Sequence, residues 1–145
     1  MEERVVKMYF NKMIPELDVT NLKQSLEFYQ TCGFKIEYER KEDKFAFLSL
    51  GEIQIMLQEL DDYNKWEVGT LEYPFGRGVN FQMEVDDVLK IHNNLISKGY
   101  EITFPLEENW YRQDDKLLGN KEFLVKDLDG YLLRFSQDLG VRDCE

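Results

Sequence analysis

Two stretches decide how this chain is read: Glu16-Leu17-Asp18-Val19-Thr20-Asn21-Leu22 and, 66 positions on, Gln82-Met83-Glu84-Val85-Asp86-Asp87-Val88. In each, a valine ends an alternating apolar/polar run and is followed by Thr, Asn or Asp. Fourteen positions after each valine stands a glycine with an aromatic behind it, Gly33-Phe34 and Gly99-Tyr100. The shared grammar is a strand end, a capping residue, a helix and a glycine that stops it. Between these marks, Leu22, Leu26 and Tyr29 recur at i, i+4, i+7, and Val88, Ile91 and Leu95 at i, i+3, i+7. Each helix therefore carries one apolar stripe to lay on a sheet.

Outward from the helices the period changes to two. Met13, Pro15, Leu17 and Val19 alternate with Ile14, Glu16 and Asp18, and Val79, Phe81, Met83 and Val85 alternate with Asn80, Gln82 and Glu84. Both runs read as strands with one apolar and one more polar face. Phe34–Arg40, Phe45–Leu50 and Ile53–Gln58 follow the first helix, with turns at Lys41-Glu42-Asp43 and Gly51-Glu52. Tyr100–Phe104, Lys121–Lys126 and Tyr131–Ser136 follow the second, with a turn at Asp127-Leu128-Asp129-Gly130. Each half is a βαβββ module, 13–60 and 79–137, joined by a linker at 61–78 within one α+β domain spanning 1–145. The second module is longer. Thirteen extra residues around Pro105–Gly119 read as a loop, whose Trp110 and Tyr111 suggest ligand contact. The linker aromatics Trp66, Tyr73 and Phe75 are too dense for a loose tether and are expected to pack in the core, at a cleft rim or in a dimer interface.

The 145 residues hold 18 Lys and Arg against 29 Asp and Glu, a net charge of −11. That length buries a core without disulfides or a structural metal. With 43% hydrophobic and 14% aromatic residues, the chain is too apolar for acidic disorder. The charge argues against nucleic acid and against an anionic membrane surface. No signal peptide or membrane-length apolar run is present, and the two cysteines, Cys32 and Cys144, have no metal or redox spacing, so a reduced cytoplasmic setting is expected. The single histidine, His92, sits beside the stripe of the second helix, as a boundary residue would. No Gly-rich phosphate loop follows a strand.

In order and spacing, the segments 16–22, 26–34, 79–88 and Asp127-Leu128-Asp129-Gly130-Tyr131-Leu132-Leu133-Arg134-Phe135 resemble the vicinal oxygen chelate superfamily, also called the glyoxalase/bleomycin resistance/dioxygenase superfamily. Through Phe45-Ala46-Phe47-Leu48-Ser49-Leu50-Gly51 and the ending at 131–137 the chain is most similar to the bleomycin resistance protein group. The resemblance implies two modules whose strands form a curled mixed sheet around a cleft with helices outside, and a homodimer with clefts between subunits. With Phe81, Met83 and Val85 facing the second helix, Asn80, Gln82 and Glu84 face the cleft. By the same parity Glu16, Asp18, Gln54, Met56 and Gln58 face it, with Phe45 and Phe47 lining it and Ala46, Leu48 and Leu50 behind.

The resemblance also implies metal-ligand positions, which here hold Ile14, Asn80, Arg134 and either Ile55 or Met56. Isoleucine has no donor, arginine is a permanent cation, and methionine prefers soft metals, so no metal and no cofactor is expected at these positions. The candidate ligand-binding set is Glu16, Asp18, Phe45, Phe47, Gln54, Met56, Asn80, Gln82, Glu84, Trp110, Tyr111 and Arg134. An acidic, aromatic, hydrogen-bonding surface suits a bulky cationic small molecule such as a bleomycin-like antibiotic, held by carboxylates and cation–π contact and sequestered without turnover, which would give antibiotic resistance. Against this stand pairing of the acids with Arg134 and Arg112, a metal-dependent glyoxalase- or dioxygenase-type enzyme with displaced ligands at Glu84, Glu16 or Asp18, and a scaffold that binds no small molecule.

Overall fold

The two capping residues act as their positions predict. Asn21 Oδ1 accepts the amide of Gln24 at 3.0 Å and starts α1 (Leu22–Thr31), and Asp87 Oδ1 accepts that of Lys90 at 3.1 Å and starts α2 (Val88–Ser97). Gly33 and Gly99, with φ of +105° and +86°, take the left-handed turn that ends each helix and that a side chain would resist. The stripes are buried: Leu22, Leu26 and Tyr29 on α1, Val88, Ile91 and Leu95 on α2. Each such side chain contributes roughly 1.5–3 kcal/mol of burial.

The computed structural model describes residues 9–61 and 67–144; Trp66 and the opening residues 1–8 lie outside the described residues. The first module holds β1 (Glu16–Val19), β2 (Lys35–Arg40), β3 (Phe45–Leu50) and β4 (Ile53–Glu59). The second holds β5 (Asn80–Glu84), β6 (Phe104–Gln113), β7 (Lys116–Lys126) and β8 (Leu132–Asp143). Each forms a four-stranded mixed sheet, ordered β1-β4-β3-β2 and β5-β8-β7-β6, with the first strand parallel to the last and the others antiparallel. The class is α+β with two open sheets. No helix among the described residues is long and apolar enough to cross a membrane.

One core serves both modules. Leu17, Val19, Ala46, Leu48, Ile55 and Leu57 from the first sheet and Met83, Phe123, Val125, Leu133 and Phe135 from the second join the helix stripes in a single cluster. Cys32 packs in it with no exposed surface, and burial pushes its thiol up, as suits an inert core residue. His92 is half-buried and turns its ring edge-on to Phe123 at 5.2 Å.

The modules are joined by the turn between β7 and β8. The Tyr29 hydroxyl donates to Asp127 Oδ2 at 2.6 Å, and Asp127 Oδ1 accepts the amides of Asp129 and Tyr131. Asp129 Oδ1 accepts the amide and hydroxyl of Thr20, and the Tyr131 hydroxyl donates to the Asp18 carbonyl at 3.1 Å. The linker closes over this turn. Phe75 N donates to the Asp129 carbonyl, its ring meets Tyr131 edge-on, and Pro74 lies where a side chain at Gly130 would have to go. Phe75 is thus core-side packing, whereas Tyr73 is 60% exposed.

The expected loop around Pro105–Gly119 is instead a hairpin. β6 and β7 pair from Glu107↔Glu122 to Gln113↔Lys116 around a two-residue turn, Asp114-Asp115, with Asp114 at φ +54°. β8 runs on beside them to Asp143. No strand forms over Tyr100–Thr103. The hairpin escaped the period-two reading because much of it is exposed, so no apolar alternation marks it; the Asp-Asp turn was its one local signal.

Burial raises the Asp127 carboxyl from 3.8 to about 6, despite hydrogen bonds from Tyr29 and from the Tyr131 and Asp129 amides that pull the other way. A carboxyl whose folded value is raised contributes stability that is present below its unfolded value and is lost as pH rises through the folded one. Relative to Asp127→Asn, the native chain should therefore gain about 2 kcal/mol between pH 6 and pH 4. Urea denaturation of both proteins across that window checks the sign; parallel curves would contradict it.

Candidate functional site

The polar face of the first sheet is built in rows by strand register. Glu16, Met56, Phe47 and Tyr38 lie side by side across β1, β4, β3 and β2, and Asp18, Gln58, Phe45 and Arg40 form the next row. Glu16, Asp18, Gln54, Met56, Phe45 and Phe47 share the face opposite the core residues Leu17, Val19, Ala46, Leu48, Ile55 and Leu57. The register also resolves the choice at the metal-ligand position. Met56 pairs with Glu16 as Arg134 pairs with Gln82, so Met56 is the counterpart of Arg134, and Ile55 belongs to the core.

Phe45 and Phe47 share this face but do not form its surface. Tyr38 stacks on Phe47 at 5.3 Å with planes 4° apart, and Phe10 meets the same ring edge-on at 5.2 Å, leaving Phe47 fully buried. The Arg40 guanidinium lies 4.0 Å over the Phe45 ring. The outer layer over these rings is therefore Tyr38, Arg40 and Phe10. Tyr38 was hidden from strand parity by a bulge between Ile36 and Tyr38, which sends Ile36 to the core side and Tyr38 to the polar side. Phe10 comes from an N-terminal strap held by Gln54, whose Oε1 accepts Asn11 N and whose Nε2 donates to the Tyr9 carbonyl, both at 2.7 Å. Gln54 is thus committed to the strap. Glu16 stays exposed; partial burial and then Asp18 raise its carboxyl, while Arg40 lowers it.

On the second sheet Gln82, Arg134, Leu124 and Phe104 form one row, and Glu84, Ser136, Glu122 and Glu107 the next. Asn80 starts the same face. Arg134 is engaged: Nε donates to Glu122 Oε1 at 2.7 Å and Nη1 to Asn80 Oδ1 at 3.4 Å. Arg134 therefore neutralises Glu122, a buried acid absent from the sequence-derived set, although Phe123 and Val125 in the core imply its parity. Arg112 bonds the Asp114 carbonyl at the hairpin turn instead of a face acid. Trp110 and Tyr111, adjacent on a strand, point to opposite sides. Tyr111 shares the polar parity of Asn109. Trp110 is turned away, lying flat on Gly119, where any Cβ would come within 2.5 Å of its ring, with the Arg142 guanidinium 4.0 Å above it.

Because the helix sides of both sheets enter one core, the polar faces are the outer faces, and one chain does not bring the two predicted sets together. The positions at which the superfamily resemblance implies a divalent metal do not fit one. Ile14 and Met56 offer no hard donor, and the Arg134 cation occupies the space beside Asn80. Among the described residues no group of three or more His, Cys, Asp or Glu is placed to hold a metal ion. A cavity of about 650 Å³ opens elsewhere, between the modules, and of the predicted set it touches only Glu84.

No family model and no curated protein matches the chain. Solved structures do. A glyoxalase/bleomycin resistance protein/dioxygenase superfamily member from Vibrio splendidus 12B01 is 32% identical over 86% of this chain and 95% of its own, at a TM-score of 0.42 that adds nothing to the fold assignment. TioX from Micromonospora sp. ML1, 21% identical over 90% of this chain and 100% of its own with a TM-score of 0.65, shares the fold. So does a bleomycin resistance determinant encoded on the transposon Tn5, 18% identical over 90% and 99% with a TM-score of 0.59. On that sequence identity over nearly full length, the chain belongs to the glyoxalase/bleomycin resistance/dioxygenase superfamily.

Removing the Arg134 cation leaves Glu122, only 8% exposed at its side chain, buried without its partner. Arg134→Leu should lower stability by about 1–3 kcal/mol, and adding Glu122→Gln should restore much of it. Chemical denaturation of the single and double variants tests the pair, and additive losses would refute it.

Proposed function

We propose that the chain is a small-molecule binder that captures a bulky organic cation of the bleomycin type on its polar sheet faces and holds it without turnover. The observation that carries this reading is the first sheet's face, where Glu16 lies in the row of the Tyr38–Phe47 stack, which Phe10 meets edge-on, and Asp18 lies in the next row with Phe45 and Arg40. Carboxylates attract the cation, and aromatic faces add about 0.5–2 kcal/mol each by cation–π contact. Arg40 leans over Phe45 on that face, so a ligand cation competes with it for the rings. A metal-assisted lyase or dioxygenase mechanism finds no support in Ile14, Met56, Asn80 and Arg134.

The binding unit in this reading is a homodimer. The two faces are apart within one chain, and a second copy supplies the opposite wall, so that Glu16 and Asp18 of one chain face Gln82, Glu84 and Tyr111 of the other. Resistance follows by stoichiometric capture of the antibiotic.

Calorimetric titration with metal-free and metal-loaded bleomycin, at low and high salt, tests the proposal. Micromolar or tighter binding is expected at one ligand per cleft, weakening with salt and falling about tenfold or more in the Glu16→Gln/Asp18→Asn double variant. Unchanged affinity in that variant would show that the ligand sits elsewhere. Turnover dependent on added divalent metal would replace the reading with an enzymatic one. Sedimentation should give a dimer at micromolar concentration, and a monomer that still binds would remove the second wall from the scheme.

A further inference from the structure

The internal repeat creates two equivalent grooves between the modules, and only one is filled. In the first, the turn after β7 reaches across. Asp129 takes the Thr20 hydroxyl, Asp127 takes the Tyr29 hydroxyl, and Tyr131 reaches the Asp18 carbonyl. The counterpart of Thr20 in the repeat is Asp86, and the counterpart of that turn is Gly51-Glu52 between β3 and β4. This turn is two residues long and carries no aromatic or aspartate to cross the gap. The result is the cavity of about 650 Å³ bounded by the end of α1, the Gly51-Glu52 turn, the end of β5 and the start of α2. That volume lies in the range of roughly 300–1,000 Å³ typical of small-molecule sites.

We propose that this second groove binds a small organic cation with an apolar body. Leu50, Ile53 and Ile91 line it and give it apolar walls. Its charged lining is acidic: Glu52 and Asp86 make no ion pair among the described residues, Asp87 adds a third carboxylate as the helix cap, and Lys90 is the one basic residue of the lining. The helix end beside it is not an anion site. The amides of Val88 and Lys90 are already taken by Gln137 Oε1 and Asp87 Oδ1. An anion therefore meets unpaired carboxylates, a neutral apolar molecule gains only the walls, and a cation on an apolar body gains both. The walls and the volume make the site; the acids select the sign of its ligand.

The experiment uses three indoles of one shape, tryptamine, indole-3-ethanol and indole-3-propionate, titrated into the full chain and followed through its amide NMR signals. Tryptamine should saturate, shift the amides of Gly33, Gly51 and Asn94, bind about tenfold more tightly than the alcohol, and outbind the propionate by more. The Glu52→Gln/Asp86→Asn variant, altered only at exposed positions, should lose about fivefold or more in tryptamine affinity. Glu16→Gln/Asp18→Asn should leave it unchanged, which separates this groove from the sheet faces. Absence of saturable binding, equal affinity for the alcohol, shifts confined to the sheet faces, or indifference to Glu52→Gln/Asp86→Asn would each overturn the proposal.

Discussion

Asp127 is a carboxylate with 4% of its surface exposed, and its partners come from both modules. Taking such a group out of water is unfavourable unless its lone pairs are met. Tyr29 of α1 and the amides of Asp129 and Tyr131 meet them, and together they hold the β7–β8 turn against the first module. Asp129 repeats the device on Thr20, and Phe75 and Pro74 of the linker seal it from outside. The seating of this turn places α1 beside α2, and that contact makes one core out of two half-domains that bury too little alone.

Once the helix sides are spent on that shared core, each sheet's other side faces out. The polar alternation of β1 and β5 then becomes surface chemistry. On the first sheet, Glu16 and Asp18 stand beside an aromatic layer whose outer members are Tyr38 and Phe10. On the second sheet, Arg134 cancels Glu122, leaving Glu84 and Glu107 as acids on that row. The net charge of −11 is therefore unevenly expressed: part is absorbed in the inter-module turn, part is paired, and part lies on the faces and the open groove.

The two grooves show how a repeat diverges without changing its backbone plan. The side with the Asp127–Tyr131 turn has become structural, with side chains crossing it. The side with Gly51-Glu52 has kept a gap lined by Leu50, Ile53 and Ile91. A difference of a few turn residues separates a filled joint from a cavity, because the strands and helices around both follow the same register.

The amino-acid sequence by itself determined the modules. The Asn21 and Asp87 caps, the glycine stops and the helix stripes are local signals whose meaning does not depend on the rest of the chain, and period two assigned Glu16, Asp18, Asn80, Gln82 and Glu84 to the polar faces. Only the tertiary structure decided what covers those faces. The bulge before Tyr38 reverses a parity, the strap carrying Phe10 crosses 43 residues of sequence to reach Gln54, and Trp110 seeks Gly119 on a neighbouring strand. The β6–β7 hairpin was illegible because its exposed faces impose no apolar alternation. The separation of the two site halves was illegible because it follows from how the modules dock. Local periodicity reports which side of a strand is buried; it carries no information about what lies across from the other side.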